Sequence, residues 1–221
     1  MGDILSKYDI LGAFGLTVYL AVFSAIGSLV LGTLVAVMRV SPVSVLRLLG
    51  TWYVNIFRNT PLTLLMVFSV LGMTYILGLN LDPSDIKGNA TRWAIVMLSI
   101  YHAAFVCEAL RSGVNTVPAG QAEAARAMGL TFGQSMRHVL LPQAFRGAIA
   151  PLGSTLIALV KNTTVAAVIG VAEAANLMAV IIENETGALA VFVIFAVGFV
   201  ILTLPLGLLF TSMSRRLAVK R

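Results

Sequence analysis

Charge is scarce in this chain. Asp, Glu, Lys and Arg make up 11% of its 221 residues, where a soluble domain carries about 25%, so an ordinary water-soluble fold is excluded. Cysteine is nearly absent: Cys107 stands alone, which excludes an internal disulfide and a cysteine-built metal cage. His102 and His138 are the only histidines, and no metal site is expected. Ser154 follows Gly153, but no G-x-S-x-G surrounds it, so an intramembrane Ser–His protease is poorly supported. No G-x-x-x-x-G-K-S/T phosphate loop occurs anywhere. The chain is therefore expected to bind no nucleotide or other cofactor of its own. Acids are also too few within the apolar runs to favour a carrier driven by an ion gradient.

Apolar residues are abundant instead, at 59%, with a mean hydropathy of +0.97. The expected class is all-α and polytopic, because in lipid a helix satisfies every backbone polar group internally. The whole chain, residues 1–221, reads as one transmembrane domain. Asp3 and Asp9 spoil the basic start of a cleavable signal, so insertion by the first span is expected.

The first span covers residues 10–38, longer than the roughly 20 residues that cross a bilayer. Ala13, Thr17, Ala21 and Ala25 form one small-residue stripe on it, and Ser24, Ser28, Gly32 and Ala36 a second. Both suit close helix packing within the chain. Arg39, Arg47 and Arg58 follow in what reads as a loop. Asn59-Thr60-Pro61 opens a second span that runs to about residue 79, with Pro61 fitting a helix start. A polar hairpin covers 80–92, Trp93 is expected at the interface, and the third span ends near Cys107. Glu108 and Arg111, three apart, are placed to pair on one helix face. The fourth span is expected over 139–160 and the last over 188–213. Gly170 and Glu173 interrupt the apolar stretch 165–182, which reads as a broken helix, half-inserted from the outer side. That leaves five spans. With the N-terminus outside and the C-terminus inside, eleven cations face two acids on the inner side, and four cations face seven acids outside. This obeys the positive-inside rule. The net charge of +6 is then the mark of inner loops rather than of a nucleic-acid partner.

Between the third and fourth spans lies a polar island. Pro118 suits a first helical turn, and residues 119–128 are mostly good helix formers. Gly129 can take the left-handed conformation that ends such a helix, and Thr131 and Gln134 have capping-box spacing for another. A short Ala-rich helix charged only at Glu123 and Arg126 is a poor span but a good insert for a partner's groove.

Glu123-Ala124-Ala125, Gly129 after three more residues, then nine residues, Val139 and Leu141-Pro142 form a pattern that resembles the cytoplasmic coupling loop of ABC-importer permeases. Val139 stands where Ile is usual. The segment Arg58-Asn59-Thr60-Pro61-Leu62 is similar to one found in polar-amino-acid permeases, with Asn59 in place of Gly. The stretch from Glu108 through Gln121, Lys161-Asn162-Thr163-Thr164 and Val168-Ile169-Gly170-Val171 point to the same group, nearest to its glutamate-type members. The resemblance implies the type I importer permease fold, with the coupling loop at 117–142. It assigns contact with the ATPase to Ala119, Glu123, Ala124, Ala125, Ala127, Gly129, Leu141 and Pro142. It also implies two ATPase subunits that hold ATP and magnesium, a second permease chain (homologous or identical) and an extracytoplasmic solute-binding protein. A polar amino acid would be the cargo and the cytoplasmic membrane the location.

Candidate pathway residues are the polar ones at helix breaks or inside apolar runs: Asn162, Thr163, Thr164 and Glu173, together with Thr60 and Glu108. Lys161 reads better as a residue snorkelling to the outer interface. The competing reading is a self-sufficient secondary transporter or channel. It accounts for the broken 165–182 stretch but not for a structured Ala-rich helix pair.

Overall fold

Asp9 starts the first long helix of this computed structural model, which describes residues 6–185 and 187–217. Its carboxylate accepts from Gly12 N at 2.8 Å, and α1 then runs Ile10–Val40 without a charge until Arg39. Extended Ser41 ends it, and Pro42 follows. The two small-residue stripes behave as expected. Ala13, Thr17 and Ala21 are buried, as are Ser24, Ser28 and Gly32, and they pack inside the chain. A Cβ on Gly32 would fall 2.6 Å from the Val106 side chain, so only glycine allows α1 to lie this close to its neighbour.

The region after α1 differs from the loop expected there. Ser44–Asn59 is a helix, α2, and Leu62–Phe68 is α3. Ser44–Asn59 and the apolar stretch Leu62–Ile76 are bent by 96° to one another, the form of a broken span or a re-entrant loop. Thr60, extended at φ −98° and ψ 131°, shows why: a residue before proline is pushed out of helical geometry. Gly50 of α2 lies against Val35, Met38 and Arg39 of α1, and Val54 is buried with Val35, Ala104 and Cys107. Tertiary packing thus holds a helix whose charged ends suggested a loop. Past α3 the chain widens into π-turns over Ser69–Ile76 and stops at Gly78, which has φ +68°.

Asp85 caps α4, accepting from Lys87 N at 2.9 Å, so Ile86–Asn115 starts well before the expected Trp93. Trp93 is 7% exposed and packs into a cluster with Leu20, Met66 and Leu98. Helix α4 is the axis of the bundle, with 61% of its most apolar window buried against 11% for the last helix.

The polar island folds as a hairpin of α5, Ala119–Ala127, and α6, Phe132–Ser135. Gly129 is left-handed at φ +78°. The capping box closes as expected: Thr131 N donates to Gln134 Oε1 at 2.9 Å, and Gln134 N to Thr131 Oγ1 at 3.3 Å. A π-turn over Met136–Leu140 leads into α7, Leu141–Asn162.

The ambiguous stretch is broken. A 3-10 segment covers Thr163–Ile169, Gly170 turns the chain at φ +80°, and α8 is Ala174–Asn184. Helix α9, Ala188–Leu217, completes the bundle. Four helices are long and apolar enough to cross a membrane, and five spans result when the bent pair counts as one. Of the charges used for sidedness, Asp3, Lys220 and Arg221 lie outside the described residues.

Candidate functional site

Helix periodicity assembles a polar seam between α4 and α7. Tyr101, Phe105, Glu108, Ser112 and Asn115 recur at three- and four-residue steps, which puts them on one face of α4. Pro151, Ser154, Thr155, Ala158 and Asn162 do the same on α7. Two cavities open along this seam. One, of about 340 Å³, is lined by Tyr101, His102, Phe105, Ser154, Thr155, Ala158 and Asn162. The other, of about 500 Å³, lies toward the hairpin end and takes in Glu108, Arg111, Ser112 and Asn115. Phe105, Ser154 and Thr155 line both, so the cavities are neighbours around one aromatic ring. An apolar groove of α1, α7 and α9, of about 310 Å³, contains no charged or hydrogen-bonding side chain and has nothing with which to orient a polar solute.

The charges of the seam are arranged around Glu108. Arg111 donates to its Oε2 through Nη2 at 2.7 Å and Nε at 3.1 Å, the pairing their spacing suggested. Arg39 reaches its other oxygen, Oε1, from α1. Glu108 therefore ties α1 to α4 while it lines the cavity.

Arg58 is the main surprise. Expected in a loop, it ends α2 at the break of the second span, and its guanidinium lies 5.6 Å from the centroid of the Phe105 ring. It makes no ion pair among the described residues. A cation on an aromatic face without a carboxylate partner remains free to meet an anion.

The residues singled out as a pathway separate into three groups. Asn162 and Glu108 line the cavities. Thr60, Thr163 and Thr164 turn their hydroxyls back onto their own chain, to the carbonyls of Ile56, Val160 and Lys161 at 2.8 Å each. Glu173 is wholly buried and caps α8, accepting from Ala175 N and Asn176 N at 2.9 Å, with Thr17 Oγ1 at 3.4 Å. Its oxygens are engaged at a helix start, away from the seam. Tyr101, His102, Phe105, Ser154, Thr155 and Arg58 were not picked out as pathway residues. The three- and four-residue recurrence on α4 was a readable signal for the first and third. For Arg58 the resemblance marked the segment, but nothing placed its guanidinium against Phe105, because α2 itself was unrecognised.

The residues assigned to the coupling loop gather on the hairpin. Ala119, Glu123, Ala124 and Ala127 are exposed along α5, and Leu141 and Pro142 are exposed where α7 begins. Ala125 alone of the group is fully enclosed. Gly129 makes the turn between the helices, its N–H on Arg126 O at 2.9 Å. Met128 is 71% exposed at the hairpin tip.

A bundle of four or five apolar spans with a polar seam between two central helices, and an exposed hairpin at one end, is the architecture of a membrane transport subunit. The family described as "Binding-protein-dependent transport system inner membrane component" matches residues 28–219, and the chain belongs to it. It is 52% identical over 218 residues to the glutamate transport system permease protein GluC of Corynebacterium glutamicum, covering 96% of each chain. It is 36% identical over 204 residues to the probable glutamine ABC transporter permease protein GlnM of Bacillus subtilis, covering 91% of this chain and 89% of that one. Among solved structures, that of an amino acid ABC transporter with histidines superposes with a TM-score of 0.84 at 26% identity. It covers 94% of this chain and 93% of its own.

Proposed function

We propose that this chain is the transmembrane subunit of an ATP-driven importer that carries a polar amino acid, glutamate, across the cytoplasmic membrane. The observation that carries the reading is the 52% identity to a glutamate permease over 96% of both chains. The seam supports it, since a free guanidinium at Arg58 suits an anionic cargo.

In this reading the N-terminus is outside and the C-terminus inside, and the α5–α6 hairpin projects into the cytosol. Two ATPase subunits hold ATP and magnesium and seat the hairpins of two permease chains. Their closure swings the hairpins and turns the spans between inward-open and outward-open states. A solute-binding protein delivers cargo on the outer face. The chain's own work is mechanical and orienting: α5 transmits the push, Gly129 and the capping box keep the hairpin stiff, and the α4–α7 seam receives the amino acid.

Proteoliposomes test this directly. Labelled glutamate should accumulate only when the permease chains, the ATPase, ATP and the binding protein are all present. Flux that continues with the ATPase removed would mean a secondary transporter or channel instead.

A further inference from the structure

His102 is the enclosed member of the first cavity's wall, 1% exposed, and both of its ring nitrogens are engaged. Nδ1 lies 3.1 Å from the Leu98 carbonyl oxygen, and Nε2 lies 3.2 Å from Asn162 Nδ2. A backbone carbonyl can only accept, so Nδ1 carries a proton. An enclosed imidazole with no carboxylate against it among the described residues is neutral, because an unpaired charge there is too costly. Nε2 is then bare and can only accept. The group that Asn162 turns toward it is therefore the NH2, the only donor of the amide. That leaves Asn162 Oδ1 for the cavity, with no hydrogen bond from any described residue. Tyr101, edge-on to the imidazole at 5.2 Å, holds the ring in place.

We infer that His102 is a positioning residue: it locks the Asn162 amide so that the carbonyl oxygen faces the cavity and receives the α-ammonium of the transported amino acid. This rests on the reading of the chain as an amino-acid carrier. An ammonium group has donors only. It gains a hydrogen bond from Oδ1 and would be repelled by the NH2 of a flipped amide. Orientation of one side chain thus separates an amino acid from a dicarboxylate of the same length that lacks the amine.

The test uses the complete permease–ATPase complex in nanodiscs without the binding protein, so that discrimination comes from the membrane subunits. Binding of L-glutamate and of glutarate is measured for the wild type, His102→Leu and His102→Gln. Gln keeps an oxygen that can accept from Asn162. The leucine variant should lose the preference for glutamate over glutarate by roughly tenfold, as expected for one lost charge-assisted hydrogen bond, and the glutamine variant should keep it. An unchanged ratio in His102→Leu, or no preference in the wild type, overturns the inference. Nitrogen NMR of the histidine-labelled complex gives a second readout that needs no substrate. The resonances that vanish in His102→Gln should show Nδ1 protonated and Nε2 bare. A protonated Nε2 overturns the inference whatever the cargo. Failure of ATP-driven glutamate uptake alongside the expected tautomer would instead remove glutamate as cargo and leave the positioning role standing.

Discussion

Arg58 and the Lys7–Glu185 pair show how differently single charges act in this molecule. Arg58 stacks on Phe105 where two cavities meet, so its loss should be felt in transport rather than in folding. Arg58→Leu should raise the half-saturating glutamate concentration for uptake by roughly tenfold or more, the value of a charge-assisted hydrogen bond. Arg58→Lys should recover part of this, since it keeps the charge but loses the planar fork. Unchanged uptake kinetics in Arg58→Leu would take the residue off the path. Lys7 and Glu185 meet at 2.5 Å and tie the N-terminal segment to the turn between α8 and α9. The hydrogen bond from Lys7, with that of Tyr8, holds the Glu185 carboxyl below its ordinary value. The same contact pushes the Lys7 ammonium above its own. Because Glu185 is depressed, its contribution is present at neutral pH and fades as pH falls through its folded value. Because Lys7 is raised, its contribution fades only as pH rises through its folded value. Spin labels at the exposed positions Leu11 and Leu189 should give a narrow distance distribution at neutral pH that broadens at either extreme. A width that stays constant into strong acid would dismiss the tether. Asn162 and Glu108 were legible in the sequence because polar residues in apolar runs draw attention. Ser154 and Thr155 were not, because residue type says nothing of which helix face meets which.

At the level of elements, caps and breakers carried most of the information. Gly129 at φ +78° and the reciprocal Thr131–Gln134 bonds formed where residue spacing placed them, because both are local. The same locality explains Gly170, which ends the 3-10 segment. Helix α2 escaped notice for the opposite reason. Its stability comes from Gly50 and Val54 against α1 and α4, contacts remote in sequence, and arginines toward both ends disguise it as a loop. The hairpin yields a prediction at this scale. Gly129→Val places a β-branched residue in left-handed backbone, at a local cost of roughly 1–3 kcal/mol. The variant should insert and pair with its permease partner normally yet lose ATPase association and uptake. Normal ATP-driven uptake would show that the left-handed turn is dispensable.

The whole bundle leaves its seam uncovered. Ser112, Asn115 and Ser154 are exposed on it, although they belong to α4 and α7, two of the apolar spans. Hydroxyl and amide groups facing hydrocarbon are costly, whereas the lipid-facing sides of α1 and α9 present Val, Leu, Ile and Phe. The seam therefore should face protein and a water-filled path, which is the face the proposed second permease chain would cover. The sole native cysteine, Cys107, is buried, which makes cross-linking clean. Cysteine at Ser112 or Ser154, paired with cysteine at the matching position of the second permease chain, should join the two with a short bifunctional reagent. Cysteine at Val193 or Leu208, exposed on α9, should not. In the proposed mechanism rearrangement of the hairpins alters the seam, so the yield should also change when ATP is bound. Cross-links through α9 but none through the seam would place the partner on the wrong face and leave the path without its second wall.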